Sequence, residues 1–169
     1  MIFGFYGRSG QGVEKAVRLF AKACFMSGLY VQSFTFRSHD RRGSPVTGYV
    51  KTDKEAILSK SVEDPDFYIV FDQTMMDPKT LKDNSTLILN VPQKPLSDTL
   101  RKKKVKIYAV DATAISLMTK SGAPNAAMIG ALTKLFSKVS MKSIRTAMDE
   151  EHLARENVNA LEEGYRNVK

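Results

Sequence analysis

Six residues, Gly7 to Gly12 (Gly-Arg-Ser-Gly-Gln-Gly), have the types and spacing to do chemistry. Three glycines in so short a run let the backbone turn tightly and present successive N–H groups. The run follows an apolar strand-like segment, Met1 to Tyr6, and precedes a segment with helical periodicity. A glycine turn feeding a helix N-terminus is a place for an anion, because unsatisfied N–H groups and the helix dipole both point there. The alternative is a turn that merely passes the chain from strand to helix. The spacing lacks the Gly-Lys-Ser/Thr ending of a nucleotide-triphosphate loop, which argues against an ATPase or GTPase. Nor is it the Gly-x-Gly-x-x-Gly of a dinucleotide site. At the end of the second strand, Arg37 and Ser38 replace the acidic residue of a NAD site and would suit a 2′-phosphate instead. An NADP- or flavin-binding reductase therefore stands as a rival reading, and a free-standing module for a phosphate-bearing metabolite as a third.

A second loop, residues 37–44, places Arg41 and Arg42 beside Gly43, with His39 and Asp40 just before. Arginine forks bind phosphate or carboxylate at two points. A solvated charged turn is the simpler alternative, weakened because this loop is expected beside the glycine turn. Catalytic candidates are few. His39 and His152 are the two histidines, and no Ser/His/Asp set, metal-ligand spacing or facing carboxylate pair stands out. Asp72 and Asp111 end strands, where Asp commonly caps the next turn or helix. Cys24 falls on an apolar helix face and reads as core. The eight methionines, Met75 and Met76 among them, read as core fillers or as an adaptable contact surface.

These residues need a scaffold to position them. Val13, Val17, Phe20, Ala21, Cys24 and Phe25 recur at helical spacing, and Gly28 is a natural stop. Tyr30 to Phe36 alternates as a strand, so the opening β–α–β unit predicts a parallel pair. Pro45 to Thr52 reads as an edge strand, because proline is tolerated at sheet edges. Asp53 to Val62 is expected to hold a short helix. Apolar runs at 66–71, 86–91 and 105–110 read as strands buried on both faces. Helices are expected over Ala112–Lys120, Asn125–Val139, Met141–Glu150 and Glu151–Tyr165, with Pro124 at a helix start. Together these predict an α/β chain in which residues 1–169 form a single Rossmann-like domain. Its mostly parallel sheet is flanked by helices and followed by a helical C-terminal tail. Ligands would meet the carboxyl ends of the strands: Gly7–Gly12, 37–44, 72–74, 90–92 and Asp111.

Composition bounds the function classes. The chain has 169 residues, 43% hydrophobic and 26% charged, as expected of a globular domain with a core. No apolar run has the length of about 18 residues that a membrane span needs. The start shows no basic leader or cleavage site, so a cytoplasmic location is expected. One cysteine excludes an internal disulfide and an iron–sulfur site of this chain's own. The net charge of +8 suits phosphate-bearing ligands or acidic partners. The basic run from Arg101 to Lys106 reads as a solvated edge. Basic and aromatic residues do not interleave as on a single-strand-binding surface, so nucleic acid is not an expected partner.

The ordered set of motifs resembles one family, the gamma subunit or domain of 2-oxoacid:ferredoxin oxidoreductases, the pyruvate synthase group. Gly7 to Val13 is similar to its opening Gly-Arg-Gly-Gly-Gln-Gly-Ala/Val, and Tyr30 to Phe34 to its second strand. Asp40 to Val46 resembles its Glu-x-Arg-Gly-Gly/Ala-Pro-Val loop, and Asp66 to Asp72 its Asp-x-x-Ile-Val-x-Asp strand. Asp111 to Ile115, Asn125 to Ala131 and Asn157 to Tyr165 are similar to its later helices. The resemblance implies a subunit, inactive when isolated, of an enzyme that decarboxylates a 2-oxoacid, with pyruvate expected. The acyl group passes to coenzyme A and the electrons to ferredoxin. It further implies that thiamine diphosphate, Mg²⁺ and [4Fe-4S] clusters belong to the alpha, beta and ferredoxin-like delta subunits, with no cofactor or metal held by this chain alone. Contacts between two copies of the chain are also implied. The expected binding residues are Gly7, Arg8, Ser9, Gly10, Gln11, Gly12, Arg41, Arg42 and Gly43, facing coenzyme A phosphates or partner carboxylates.

Overall fold

The computed structural model of the chain describes every residue except 39–42, 60, 62 and 96. The elements run β1 (Ile2–Arg8), α1 (Val13–Met26), β2 (Tyr30–Arg37), β3 (Pro45–Asp53), β4 (Phe67–Val70), β5 (Thr86–Asn90), α2 (Asp98–Lys102) and β6 (Lys106–Val110). They end with α3 (Ala112–Thr119), α4 (Asn125–Leu135), α5 (Met141–Glu150) and α6 (Arg155–Asn167). The six strands form one sheet in the order β2-β3-β1-β4-β5-β6. β1, β4, β5 and β6 pair in parallel, whereas β3 is antiparallel to both β1 and β2.

Apolar alternation sets the layers. Phe3 and Phe5 of β1, Val46 and Val50 of β3, Ile69 and Ile88 face the helical layer of α1, α4, α5 and α6. Phe3, fully buried, lies at the centre: its ring is 4.8 Å edge-on from Phe20 of α1 and 4.8 Å from Phe136 at the end of α4. Such pairs add roughly 0.5–1.5 kcal/mol each beyond area burial, so this cluster fixes α1 and α4 on the sheet. α4 is buried from Asn125 through Thr133. It packs on α6 at a distance only glycine permits: a Cβ on Gly130 would lie 1.9 Å from the Leu161 carbonyl oxygen, and one on Gly164 2.0 Å from that of Ala127. A smaller cluster of Tyr68, Val70, Leu87 and Leu89 with Leu81 and Leu100 fills the other face over β4 and β5, under α2 and two short 3₁₀ turns, Gln73–Met75 and Pro78–Thr80.

Several expectations change. β1 and β2 run parallel but are not neighbours, because β3 inserts between them. β3 is therefore interior and β2 forms the edge. Pro45 is accommodated as the first residue of its strand, where little of the ladder is lost. No helix forms among the described residues of 53–62. Instead Gln32 donates to the Ile57 carbonyl at 2.8 Å and the Lys51 ammonium to those of Ser59 and Ser61, tying that segment across the sheet. The basic run is solvated as expected, with Arg101, Lys102, Lys104 and Lys106 exposed; its start lies in α2, capped by Ser97, which accepts from Leu100 N–H. The helical C-terminal segment forms as expected and is part of the core, since α4 and α6 carry core residues and Lys169 exchanges two backbone hydrogen bonds with Ala109 of β6.

Candidate anion-binding site at the glycine loop

β1 delivers Gly7 and Arg8 to the end of the sheet where β4, β5 and β6 also finish. The turn closes on itself: Gln11 N–H donates to the Arg8 carbonyl at 3.1 Å, and the Gln11 side-chain oxygen accepts from Arg8 N–H at 2.8 Å. Gly12 then takes a left-handed conformation, φ 76° and ψ 23°, and opens α1 without a side-chain cap. The first-turn N–H groups of α1, free of any capping side chain, can thus serve a ligand.

The second loop reaches the first. Ser9 N–H donates to the Ser44 carbonyl at 2.8 Å, and Gly43 N–H returns a bond to the Ser9 carbonyl at 3.3 Å. Gly43 therefore lies beside the glycine turn. Arg41 and Arg42, with His39 and Asp40, fall outside the described residues. Arg8 spends its guanidinium on the scaffold: Nε donates to Asp72 at 2.8 Å, one terminal nitrogen to the Gly43 carbonyl at 3.1 Å and the other to Thr74 Oγ1 at 2.9 Å. Its role is to tie three loops together. Asp72 caps its own turn, and hydrogen bonds from the Thr74 hydroxyl and N–H, together with Arg8, outweigh partial burial and hold its carboxyl below the ordinary range. Asn90 performs a similar task, bonding the Phe71 carbonyl and Thr113 of α3, and Asp111 accepts from Ala114 N–H to cap α3.

A cavity of about 330 Å³ opens over this turn, lined by Gly10, Gly12, Lys15, Arg37, Asn125 and Asn157 among others. Two helices start in it, for α4 begins at Asn125 and, like α1, has no side-chain cap. Asn125 is 2% exposed and leans against Gly12. Arg37 forms an ion pair with Glu14 at the rim. The arrangement offers two helix N-termini, a carboxamide and cationic side chains to one anionic group or to adjacent ones. The carboxyl-end position, the glycine turn and its approach to Gly43 are legible in the chain's motifs. The place of Asn125 and Asn157 on this cavity is not: each lies far along the chain, and the available signal is Pro124 starting a helix after the last parallel strand.

Among the described residues nothing resembles a catalytic set. Cys24 is buried, which pushes its thiol up to about 12 and leaves it inert at neutral pH. His152 is exposed, with φ 51°, in the turn between α5 and α6. Among the described residues no group of three or more His, Cys, Asp or Glu could hold a metal ion, and no helix is long and apolar enough to cross a membrane.

The fold and cavity define a Rossmann-like α/β domain with a glycine turn and an open cavity at the carboxyl ends of its strands. Residues 3–167 match the pyruvate ferredoxin/flavodoxin oxidoreductase family model, and the chain belongs to that family. It is 34% identical to the pyruvate/ketoisovalerate oxidoreductases common subunit gamma of Pyrococcus furiosus, over 98% of this chain and 95% of that one. It is 32% identical to pyruvate synthase subunit PorC of Methanocaldococcus jannaschii, over 97% of this chain and 94% of that one. The crystal structure of the pyruvate oxidoreductase subunit PORC of Thermotoga maritima superposes with a TM-score of 0.84 at 31% identity, covering 100% of this chain and 97% of that one. A 2-oxoglutarate:ferredoxin oxidoreductase chain of Magnetococcus marinus shares the fold, with a TM-score of 0.85 at 19% identity over 98% of this chain and 30% of that one.

Proposed function

We propose that this chain is the gamma subunit of a multi-subunit 2-oxoacid:ferredoxin oxidoreductase, with pyruvate the expected substrate, and that its glycine-loop cavity holds phosphate groups of coenzyme A. The enzyme converts a 2-oxoacid and coenzyme A to acyl-CoA and CO₂, delivering two electrons to ferredoxin. Membership of the oxidoreductase family and the gamma-subunit names of relatives matching nearly full length support the subunit reading. The observation that carries the site reading is the meeting of two helices without side-chain caps and buried Asn125 beside Lys15. Coenzyme A carries a diphosphate and a 3′-phosphate, which suit such a site. The Magnetococcus enzyme was solved with coenzyme A and succinyl-CoA bound.

The chain's residues bind and orient; decarboxylation and electron transfer belong to other subunits. Cluster ligation needs several thiolates, and the one cysteine here is buried. The reductase alternative loses its geometry, because β3 lies between β1 and β2, which are adjacent parallel strands in a dinucleotide fold. In the assembled enzyme, Arg41→Ala, Arg42→Ala and Lys15→Ala should each raise the KM for coenzyme A while leaving the KM for the 2-oxoacid unchanged. Unchanged coenzyme A KM and unchanged subunit assembly in all three would refute the site. The isolated chain should show no oxidoreductase activity.

A further inference from the structure

The sheet face turned away from α1 is covered unevenly. Over β4 and β5 it carries the 3₁₀ turns and α2, but over β2, β3 and β1 a row of aromatic side chains remains partly open. The register places Phe36, Tyr49, Tyr6 and Tyr68 on this face across four adjacent strands. Tyr49 is edge-on to Phe36 at 6.3 Å and to Tyr6 at 6.2 Å, and Tyr6 stacks on Tyr68 at 5.9 Å. Phe36, at the outer end, is 56% exposed. Exposed Phe36 and half-buried Tyr49 and Tyr6 leave ring surface open beside buried Tyr68, as at a contact site.

Beside the row lies a cavity of about 280 Å³ over Tyr6, Tyr49 and Tyr68, with the exposed carboxylates of Glu63, Asp64 and Asp77 around it. It is smaller than the roughly 300–1,000 Å³ of typical metabolite sites and suits a single long side chain. Its charge is opposite to that of the molecule. The chain carries +8, yet the described lining residues include three carboxylates and no cation. The nearby Lys82 is engaged by Asp66 at 2.6 Å. Met75 and Met76 add soft, adaptable walls.

Electron-rich ring faces beside carboxylates select a cation. Among protein cations, guanidinium both stacks on an aromatic plane and forks onto a carboxylate. Tyrosine and arginine are also the residues that anchor protein interfaces. We infer that the cavity over Tyr6, Tyr49 and Tyr68, rimmed by Glu63, Asp64 and Asp77, receives an arginine side chain from another subunit of the oxidoreductase. The aromatic row leading to Phe36 continues the same contact. This docking site is on the opposite sheet face from α1; it rests on the subunit reading above and is independent of the coenzyme A site.

The test uses the assembled enzyme with p-benzoylphenylalanine in place of the exposed rim residue Thr80, and separately the variant Glu63→Gln/Asp64→Asn. Both changes are at exposed positions and leave the core intact. Photolysis should join this chain to one other subunit, at a peptide containing arginine. The double variant should weaken reassociation about tenfold at roughly 50 mM salt and less at roughly 500 mM, where the screening length shortens. Replacing the cross-linked arginine by alanine should weaken association equally, with no further loss when combined with the double variant. Cross-links confined to this chain, or to an arginine-free segment, overturn the inference, as does reassociation equal to wild type. A wild-type chain that isolates without other subunits overturns the inference and the subunit reading together, whereas intact assembly with indifferent variants overturns the inference alone.

Discussion

Substituting Gly12 by alanine should separate two costs that converge on the anion site. The first is conformational. Gly12 has φ 76° and ψ 23°, and placing an L-residue in the left-handed region costs roughly 1–2 kcal/mol. The second is steric. A Cβ at Gly12 would sit 2.8 Å from Cγ and 2.9 Å from Cβ of Asn125. Asn125 is buried at the start of α4, whose following turns are in the core, so it has little room to withdraw. Forcing an extra methyl into such a contact costs about 1–3 kcal/mol. Gly10 supplies the control, since its φ is 100° but nothing lies within 4 Å of its Cβ position. In a chain of this length each kcal/mol lowers the melting temperature by about 2–4 °C. Gly10→Ala should therefore lose roughly 2–8 °C and Gly12→Ala roughly 4–20 °C. The assay is calorimetric melting of the two variants side by side, followed by coenzyme A KM in the assembled enzyme, where Gly12→Ala should have the larger effect. Equal melting temperatures for the two would refute the reasoning, because they would show that Asn125 is not held against Gly12.

Other perturbations reach different parts of the molecule. Gly130→Ala drives a methyl to 1.9 Å from the Leu161 carbonyl; the gain in helix propensity of about 1 kcal/mol cannot offset separation of α4 from α6, and a net loss of about 2–3 kcal/mol or more is expected in denaturant titration. Arg8→Ala removes bonds to Asp72, Thr74 and the Gly43 carbonyl. Because the pair is partly exposed the stability loss should be about 1–2 kcal/mol, with faster amide exchange at Ser9 and Gly43. Acid should destabilise the fold through Asp66 and Asp72. Burial works against the Asp66 carboxylate, but hydrogen bonds from Lys82 and Ile2 N–H outweigh it, so both carboxyls lie below their ordinary value when folded. Their contribution is complete above the unfolded value of about 3.9 and is lost as pH falls through the lower folded value. Melting temperature should hold above about pH 5 and drop below about pH 4, and Asp66→Asn should flatten that limb.

Local pattern determines much of this molecule from sequence alone. The apolar runs ending at Phe71 and Asn90 have no polar face and form parallel strands buried on both sides; the run ending at Val110 is also parallel, but as the outer strand β6 it leaves Lys106 exposed and Ile107 and Tyr108 half-buried. Pro124 and the periodicity after it start α4. Asp72 caps the turn after its strand, and Asp111 caps the helix after its own. Glycines between an apolar strand and an amphipathic helix predict a tight turn into a helix N-terminus, which is how the turn at Gly7–Gly12 is legible.

Tertiary structure decides the rest, because those choices depend on partners distant in the chain. The β1–α1–β2 unit reads the same whether β2 pairs with β1 or β3 lies between them; the ladder from Ile2↔Lys51 to Arg8↔Pro45 settles it, and with it the loss of a dinucleotide geometry. Arg8 ties its loop to Asp72 and Thr74, more than sixty residues on, a link that no local spacing announces. Residues 53–59 have helical composition but are drawn across the sheet by Gln32 and Lys51. Asn125 gains its place in the cavity, and Tyr49 its place beside Tyr6, through helix packing and strand register. Both juxtapose residues that no local spacing relates.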